Sequence, residues 1–218
     1  MKSSRNIFLV FLLLILISAC GGKEKSQYFI FLNSNPDKVE LPEAEVQSLQ
    51  EKHLSNMENL AAAGDLIASG PFEGGGGMMV IIAENEQAAR DLLETDPAIK
   101  AGRFIVEVFP ISFIKGGICP WWVPVNIKTY GFFRFRPGPA HENTQLLQEH
   151  FYLLSVLEDD EDVLVQADFD DSASGILILS LPLSDEWIEN VIDNPAIQEG
   201  ALEVDIKNLQ IAHGTFCD

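Results

Sequence analysis

The chain has 218 residues, 47% of them hydrophobic, and a formal net charge of −19, with 33 Asp and Glu against 14 Lys and Arg. That balance argues against nucleic acid as a partner, because phosphate binding wants clustered Lys and Arg, and against a broad electrostatic grip on anionic lipid. The length suits one large domain or two small ones, and no long Gly/Pro/Ser-rich stretch outside turns reads as disordered.

In chain order, Lys2 and Arg5 precede an apolar run over residues 7–17. The run is shorter than the roughly 20 residues a membrane-spanning helix needs, so it reads as an export signal. It ends Ile17-Ser18-Ala19-Cys20-Gly21-Gly22, which resembles a bacterial lipoprotein box. The resemblance implies a signal peptide over 1–19, cleavage before Cys20, lipid on the Cys20 sulfur and a tether over 20–26. The expected partner is then a membrane, reached through several acyl chains, which anchor stably where one is marginal. The expected location is the cell envelope, at the outer membrane or periplasmic face in a Gram-negative cell. An ordinary signal peptide with an incidental cysteine is the alternative. Cleavage also removes Lys2 and Arg5, leaving the mature chain more acidic still.

Residues 28–32 (Tyr-Phe-Ile-Phe-Leu) form an aromatic-rich run of the buried-strand kind. Over 42–63, Val46, Leu49, His53, Met57 and Leu60 recur at three- and four-residue steps, the spacing of a helix face. Pro42 suits its first turn and Gly64 its end. Strands are predicted over 66–69, 78–82 and 103–109, with a second helix over 86–94. The order βαββαβ is the split-βαβ, ferredoxin-like arrangement. It recurs as a strand over 130–135, a helix over 142–157, strands over 163–166 and 175–180, a helix over 185–192 and a strand over 202–206.

The recurrence is in register. Asp96-Pro-Ala-Ile-Lys-Ala-Gly102 returns as Asn194-Pro-Ala-Ile-Gln-Glu-Gly200, and Gly77/Gly175, Val106/Val204, Gly116/Gly214 and Cys119/Cys217 all share that offset of 98, while His53/His150 differ by 97. The chain is therefore read as α+β, a tandem pair of ferredoxin-like repeats over 27–117 and 129–218. A stiff apolar linker over 118–128 joins them, with Trp121 and Trp122 packed along the halves or lining a groove.

Three features of the first half converge: His53 on the first helix, Gly64-Asp-Leu-Ile-Ala-Ser-Gly-Pro71 after it, and Asp96-Pro-Ala-Ile-Lys-Ala-Gly102 leading to a strand that ends Val108-Phe-Pro110. This pattern is similar to the YCII-related family over Gln27 to Pro110. The resemblance implies a ferredoxin-like fold whose sheets pair as a dimeric α+β barrel, with both partners here inside one chain. It also implies a histidine–aspartate active site at His53 and Asp96, a small-molecule ligand, and a pocket mouth framed by Gly70-Pro71 with Ser69 offering a hydroxyl. A carboxylate that accepts a hydrogen bond from one imidazole nitrogen fixes the tautomer and leaves the other to move protons. Read from the residues alone, the favoured reading is a hydrogen-bonded core histidine at His53 and a turn former before proline at Asp96; only the resemblance brings the active-site reading level with it. The second half keeps His150 but has Asn194 for the acid, and Ala167-Asp168 for Gly70-Pro71. At most one complete dyad is expected, in the first half.

Cys119 and Cys217, equivalent in the repeats of an exported chain, are expected to form a disulfide, with two unpaired thiols as the alternative. Gly74 to Gly77 lacks the Gly-Lys-Ser/Thr of a phosphate loop and reads as a hairpin turn. The acidic runs 158–162 and 168–171 lack the calcium-loop pattern, and His53, His141, His150 and His213 lack zinc spacing. No metal and no cofactor are expected. Two functions stand: a noncatalytic small-molecule-binding or assembly module of the envelope, weighted first because of export and the degenerate second half, or a small-molecule hydrolase, lyase or isomerase working through His53–Asp96. The sequence does not specify an oligomeric partner.

Overall fold

The computed structural model describes residues 24–120, 126–169 and 174–217. The signal and Cys20, Trp121 and Trp122 of the linker, and Asp170 and Asp171 of the second acidic run lie outside these residues. No described helix is long and apolar enough to cross a membrane.

The first half runs β1 (Ser26–Ser34), α1 (Glu43–Ala63), β2 (Leu66–Pro71), β3 (Gly77–Ala83), α2 (Glu86–Leu93), α3 (Pro97–Lys100), β4 (Phe104–Lys115) and β5 (Gly117–Ile118). The second runs β6 (Ile127–Pro137), α4 (Thr144–Leu157), β7 (Val163–Phe169), β8 (Gly175–Leu179), α5 (Asp185–Ile192), α6 (Pro195–Gln198), β9 (Leu202–Ala212) and β10 (Phe216–Cys217). The element order of the first half is repeated in full. The fold is mixed α+β around an antiparallel eight-stranded sheet ordered β2-β3-β1-β4-β7-β8-β6-β9.

The strands are apolar on both faces because both faces are covered. In β1, Phe29 and Phe31 point into a cluster shared with Phe72, Phe132 and Phe169, while Tyr28, Ile30 and Leu32 point into a second cluster with Leu60, Leu93 and Met57 under the helices. This is the two-residue alternation of a strand applied to two cores at once. The second half mirrors it, with Phe132 facing the shared cluster and Phe133 and Phe135 packing beneath α4 and α5.

The halves meet at two strand junctions. At one, Ile111 pairs with Phe169 as β4 joins β7; at the other, Phe72 bridges Leu209, joining the outer strands of the sheet. Gly70 is required at the second junction, where an added Cβ would lie 2.5 Å from the Gln210 carbonyl oxygen. Aromatic rings cross between the halves, including Phe29 with Phe132 at 6.2 Å and Phe109 with Phe169 at 4.7 Å. An ion pair spans them too: Arg134 of β6 donates from both terminal nitrogens to Glu107 of β4, at 3.0 and 2.7 Å, with its guanidinium 3.7 Å from the Phe31 ring centroid. The Arg134 hydrogen bonds hold the Glu107 carboxyl below the usual carboxylate range, against the opposing effect of burial.

Several boundaries differ from the sequence expectation. The final strand of the first half extends to Lys115, not 109. Its first part pairs with β1 as far as Pro110, and from Ile111 it pairs with β7 of the other half. Proline, which has no N–H to donate, occupies the changeover between partners. The last strand likewise extends to Ala212 along β6. The expected linker overlaps strands at both ends, since Ile118 belongs to β5 and is buried, and β6 begins at Ile127. Asp96-Pro and Asn194-Pro open the short helices α3 and α6, so Asp96 caps a helical turn in place of a simple turn before proline.

Cys119 and Cys217 are disulfide-bonded, with Cα atoms 6.0 Å apart, beside the β5–β10 ladder. The bridge closes a long loop, so it restricts the unfolded chain strongly in the loop-entropy account. A Cys119→Ser, Cys217→Ser double variant is expected to lose about 2–4 kcal/mol of stability in urea titration. An unmoved unfolding midpoint would refute that contribution.

Candidate functional site

The site forms between α1 and the outer face of the first half's sheet. His53 projects from the buried stripe of α1, one turn from Met57 and two from Leu60. Asp96 is the N-cap of α3 and is 1% exposed. Its two oxygens divide the work. Oδ1 accepts from the Ala98 N–H at 2.8 Å and the Ile99 N–H at 3.3 Å, while Oδ2 lies 2.6 Å from His53 Nδ1. A carboxylate only accepts, so this contact assigns the proton to Nδ1 and leaves the lone pair of the neutral ring on Nε2. Among the described residues Nε2 has no hydrogen-bond partner. The Phe104 ring lies 5.7 Å from the imidazole, limiting its rotation.

His53 lines a cavity of about 370 Å³. Gln50, Leu54 and Met57 of α1 share its helix wall. Ser69, Gly70 and Pro71 of β2, Met79 of β3 and Phe104 of β4 also line the cavity. The structure thus brings together His53, Asp96, Ser69, Gly70 and Pro71, all singled out in the sequence; Gly70 also serves the β2–β9 junction. Gln50, Leu54 and Met57 went unremarked as site residues, although steps of three and four from Gln50 through His53 and Met57 place them on one helix face. Cys119 and Cys217 lie with β5 and β10, apart from this cavity lining. Among the described residues no group of three or more His, Cys, Asp or Glu side chains is arranged to hold a metal ion.

The second half holds the same scaffold with different chemistry. Asn194 Oδ1 accepts from the Ala196 N–H at 2.9 Å, which fixes the amide orientation, and Nδ2 donates to His150 Nδ1 at 3.0 Å. Here Nδ1 must be the acceptor, so the ring proton sits on Nε2, the opposite tautomer to His53. His150 is packed 4.6 Å from the Phe135 ring, and burial pulls its pKa down to about 4. The cavity beside it measures about 10 Å³, at the limit for a single water. Asp168, which lines that space, is pushed up by burial.

A family model described as a YCII-related domain matches residues 26–112, the span that carries His53 and Asp96. No curated protein matches the chain. Among solved structures, it is similar to an anthrone oxidase-like protein at 11% identity and a TM-score of 0.48, covering 88% of this chain and 93% of that one. It is also similar to a candidate monooxygenase from Fusobacterium nucleatum at 8% identity and a TM-score of 0.46, covering 90% and 95%. A candidate monooxygenase from Lactobacillus acidophilus NCFM shows 11% identity and a TM-score of 0.42, covering 87% and 96%.

Two outcomes follow from the paired geometry. Asp96→Asn is expected to give the first half the second half's arrangement, with the amide donating to His53 Nδ1 and the ring proton moving to Nε2; imidazole ¹⁵N shifts read the tautomer, and a proton still on Nδ1 would contradict the assignment. His150 is neutral in the folded chain because its pKa falls from 6.5 to about 4. The unfolded chain takes up that proton first, so stability is complete above about pH 6.5 and declines towards pH 4, by about 3 kcal/mol in full. His150→Gln is expected to flatten this part of the urea-midpoint profile, and identical slopes in the two proteins would show that His150 does not contribute.

Proposed function

We propose that this chain acts on a small molecule by acid–base chemistry at His53, in a hydrolysis, elimination or isomerisation. One observation carries the reading: an imidazole whose Nδ1 is held by a buried carboxylate lines a cavity large enough for a small molecule, a size range of about 300–1,000 Å³. In the mechanism, Asp96 keeps the proton on Nδ1 and balances the charge that develops on the ring. Nε2 removes a proton from the substrate in an elimination or isomerisation, or from the attacking water in a hydrolysis, and returns it at another atom or to the leaving group. Oδ1 stays fixed by the α3 amides throughout, so Oδ2 does not swing away from the ring.

The noncatalytic reading drew its weight from export and from the loss of the acid in the second half. That loss is confined to the second half, whose histidine lies beside a space too small for a ligand. It leaves the first site's pair and cavity untouched, so the catalytic alternative now takes precedence.

The proposal extends to architecture and address. The chain is a tandem duplicate whose units close into an intrachain α+β barrel; the repeated element order and the two equivalent junctions, Ile111 with Phe169 and Leu209 with Phe72, support this. The first unit is catalytic and the second a scaffold that covers its inner sheet face. The chain is exported and anchored through lipid on Cys20, a reading supported by the apolar N-terminal run and the Ser-Ala-Cys box.

A panel of small esters, carbonyl compounds and hydroxy acids, followed by mass spectrometry, tests the chemistry. Turnover found with the wild type is expected to fall by about 10²-fold or more in His53→Ala, with unchanged circular dichroism, and to fall in Asp96→Asn as well. Equal turnover in His53→Ala would end the proposal.

A further inference from the structure

A second cavity, of about 140 Å³, adjoins the His53 cavity and shares Gln50 and Phe104 with it. Its character is different. The larger cavity has no Lys or Arg among its described lining residues, and its walls are mostly aliphatic, aromatic and thioether groups. The smaller one has Val46, Leu49 and Ala98 in its lining but adds two cations, Lys38 and Arg103, and the Ser34 hydroxyl. No Asp or Glu is among the described residues lining either, although acids outnumber bases 33 to 14 in the chain.

The two cations have kept their charge available. Among the described residues Lys25, Arg90, Arg134 and Arg136 pair with carboxylates, whereas neither Lys38 nor Arg103 does. Arg103 is nevertheless held in place, donating from Nη1 to the Val39 carbonyl at 2.7 Å. That single bond orients the guanidinium and leaves its other N–H groups to a ligand, and a guanidinium fork matches a carboxylate closely.

We propose that the ligand is an elongated organic acid: its uncharged, largely apolar part occupies the cavity beside His53, and its carboxylate sits between Lys38 and Arg103, beyond Gln50 and Phe104. This rests on the acid–base reading for what happens at His53, but its geometry is independent of turnover. The charge separation gives the two ends of the ligand a fixed direction. An uncharged reacting part suits His53, since neither Lys nor Arg lines its cavity to compensate a charge buried there.

The chain's own methionines report on the site. Of four, Met57, Met78 and Met79 all line the larger cavity. With ¹³C-methyl methionine in the full chain, titration with 4-phenylbutyrate and with 4-phenylbutanol compares two probes alike except for the charge. Both are expected to move these methyl resonances, the acid binding about tenfold or more tightly because of the charge-assisted contacts. The advantage should shrink as salt is raised. It should vanish in a Lys38→Gln, Arg103→Gln double variant that still binds the alcohol as the wild type does. The proposal is overturned by equal affinities in the wild type, by an advantage that survives in the double variant, or by an acid that moves none of the three methyls. A His53→Gln chain is expected to retain the preference, which separates failure of this proposal from failure of the catalytic one.

Discussion

Phe29 and Phe31 of β1 set the constraint on which the rest of the structure depends. They lie on the face of the first sheet that α1 and α2 do not cover, fully buried against Phe132, Phe169 and Phe72. Each buried phenylalanine is worth about 1.5–3 kcal/mol relative to exposure, and aromatic pairs add to that. Either half alone would leave this face to water, and in this chain the other half covers it. The closure is dry enough to take Arg134 out of solvent at 4% exposure, which is tolerable because Glu107 meets it with two hydrogen bonds and Phe31 lies beneath it. With the inner face filled by rings, the first half's large cavity lies on the other face, under α1. The packing that joins the halves therefore also determines on which face the first half's cavity lies.

On that outer face, one heavy-atom type separates two uses of the same scaffold. Asp96 and Asn194 cap equivalent short helices through Oδ1, and each presents its remaining atom to a histidine on the preceding long helix. An oxygen there demands a proton on Nδ1; an amide nitrogen supplies one and demands a lone pair. The cap is indifferent to the exchange, because a carboxylate and an amide both offer an acceptor to the backbone N–H. The imidazole is not. The question of whether Asp96 serves the turn or the histidine has a geometric answer: it serves both, with different oxygens.

Much of this was legible in the sequence because it is local or periodic. The buried strands showed as apolar runs, α1 as a stripe from Val46 to Leu60, and the recurring order of elements as a constant offset through Pro-Ala-Ile, glycine and cysteine. What escaped depends on partners distant in the chain. Pro110 reads as a strand end because proline usually is one, and only β7, supplied by the other half, carries the strand onward. Arg134 reads as an ordinary charge within Phe-Phe-Arg-Phe; its burial follows from contacts with Glu107 and Phe31 of the other half. Lys38 follows a turn and Arg103 a glycine, and no spacing joins them, because β1, α1 and β4 together make the cavity they line.

The asymmetry between the halves is compatible with the symmetry of their cores because the two are recorded in different residues. Closure depends on alternate strand residues facing inward, and both halves retain these. The site depends on outward residues and on the space beneath the long helix. Phe135 occupies the room beside His150, as the T-shaped ring contact and the nearly absent cavity there show. In a dimer of identical chains, any such filling would silence both sites together. Within one chain the second site can be filled while the first stays open. The filled half then gains apolar contact on its outer face and loses nothing that closure requires.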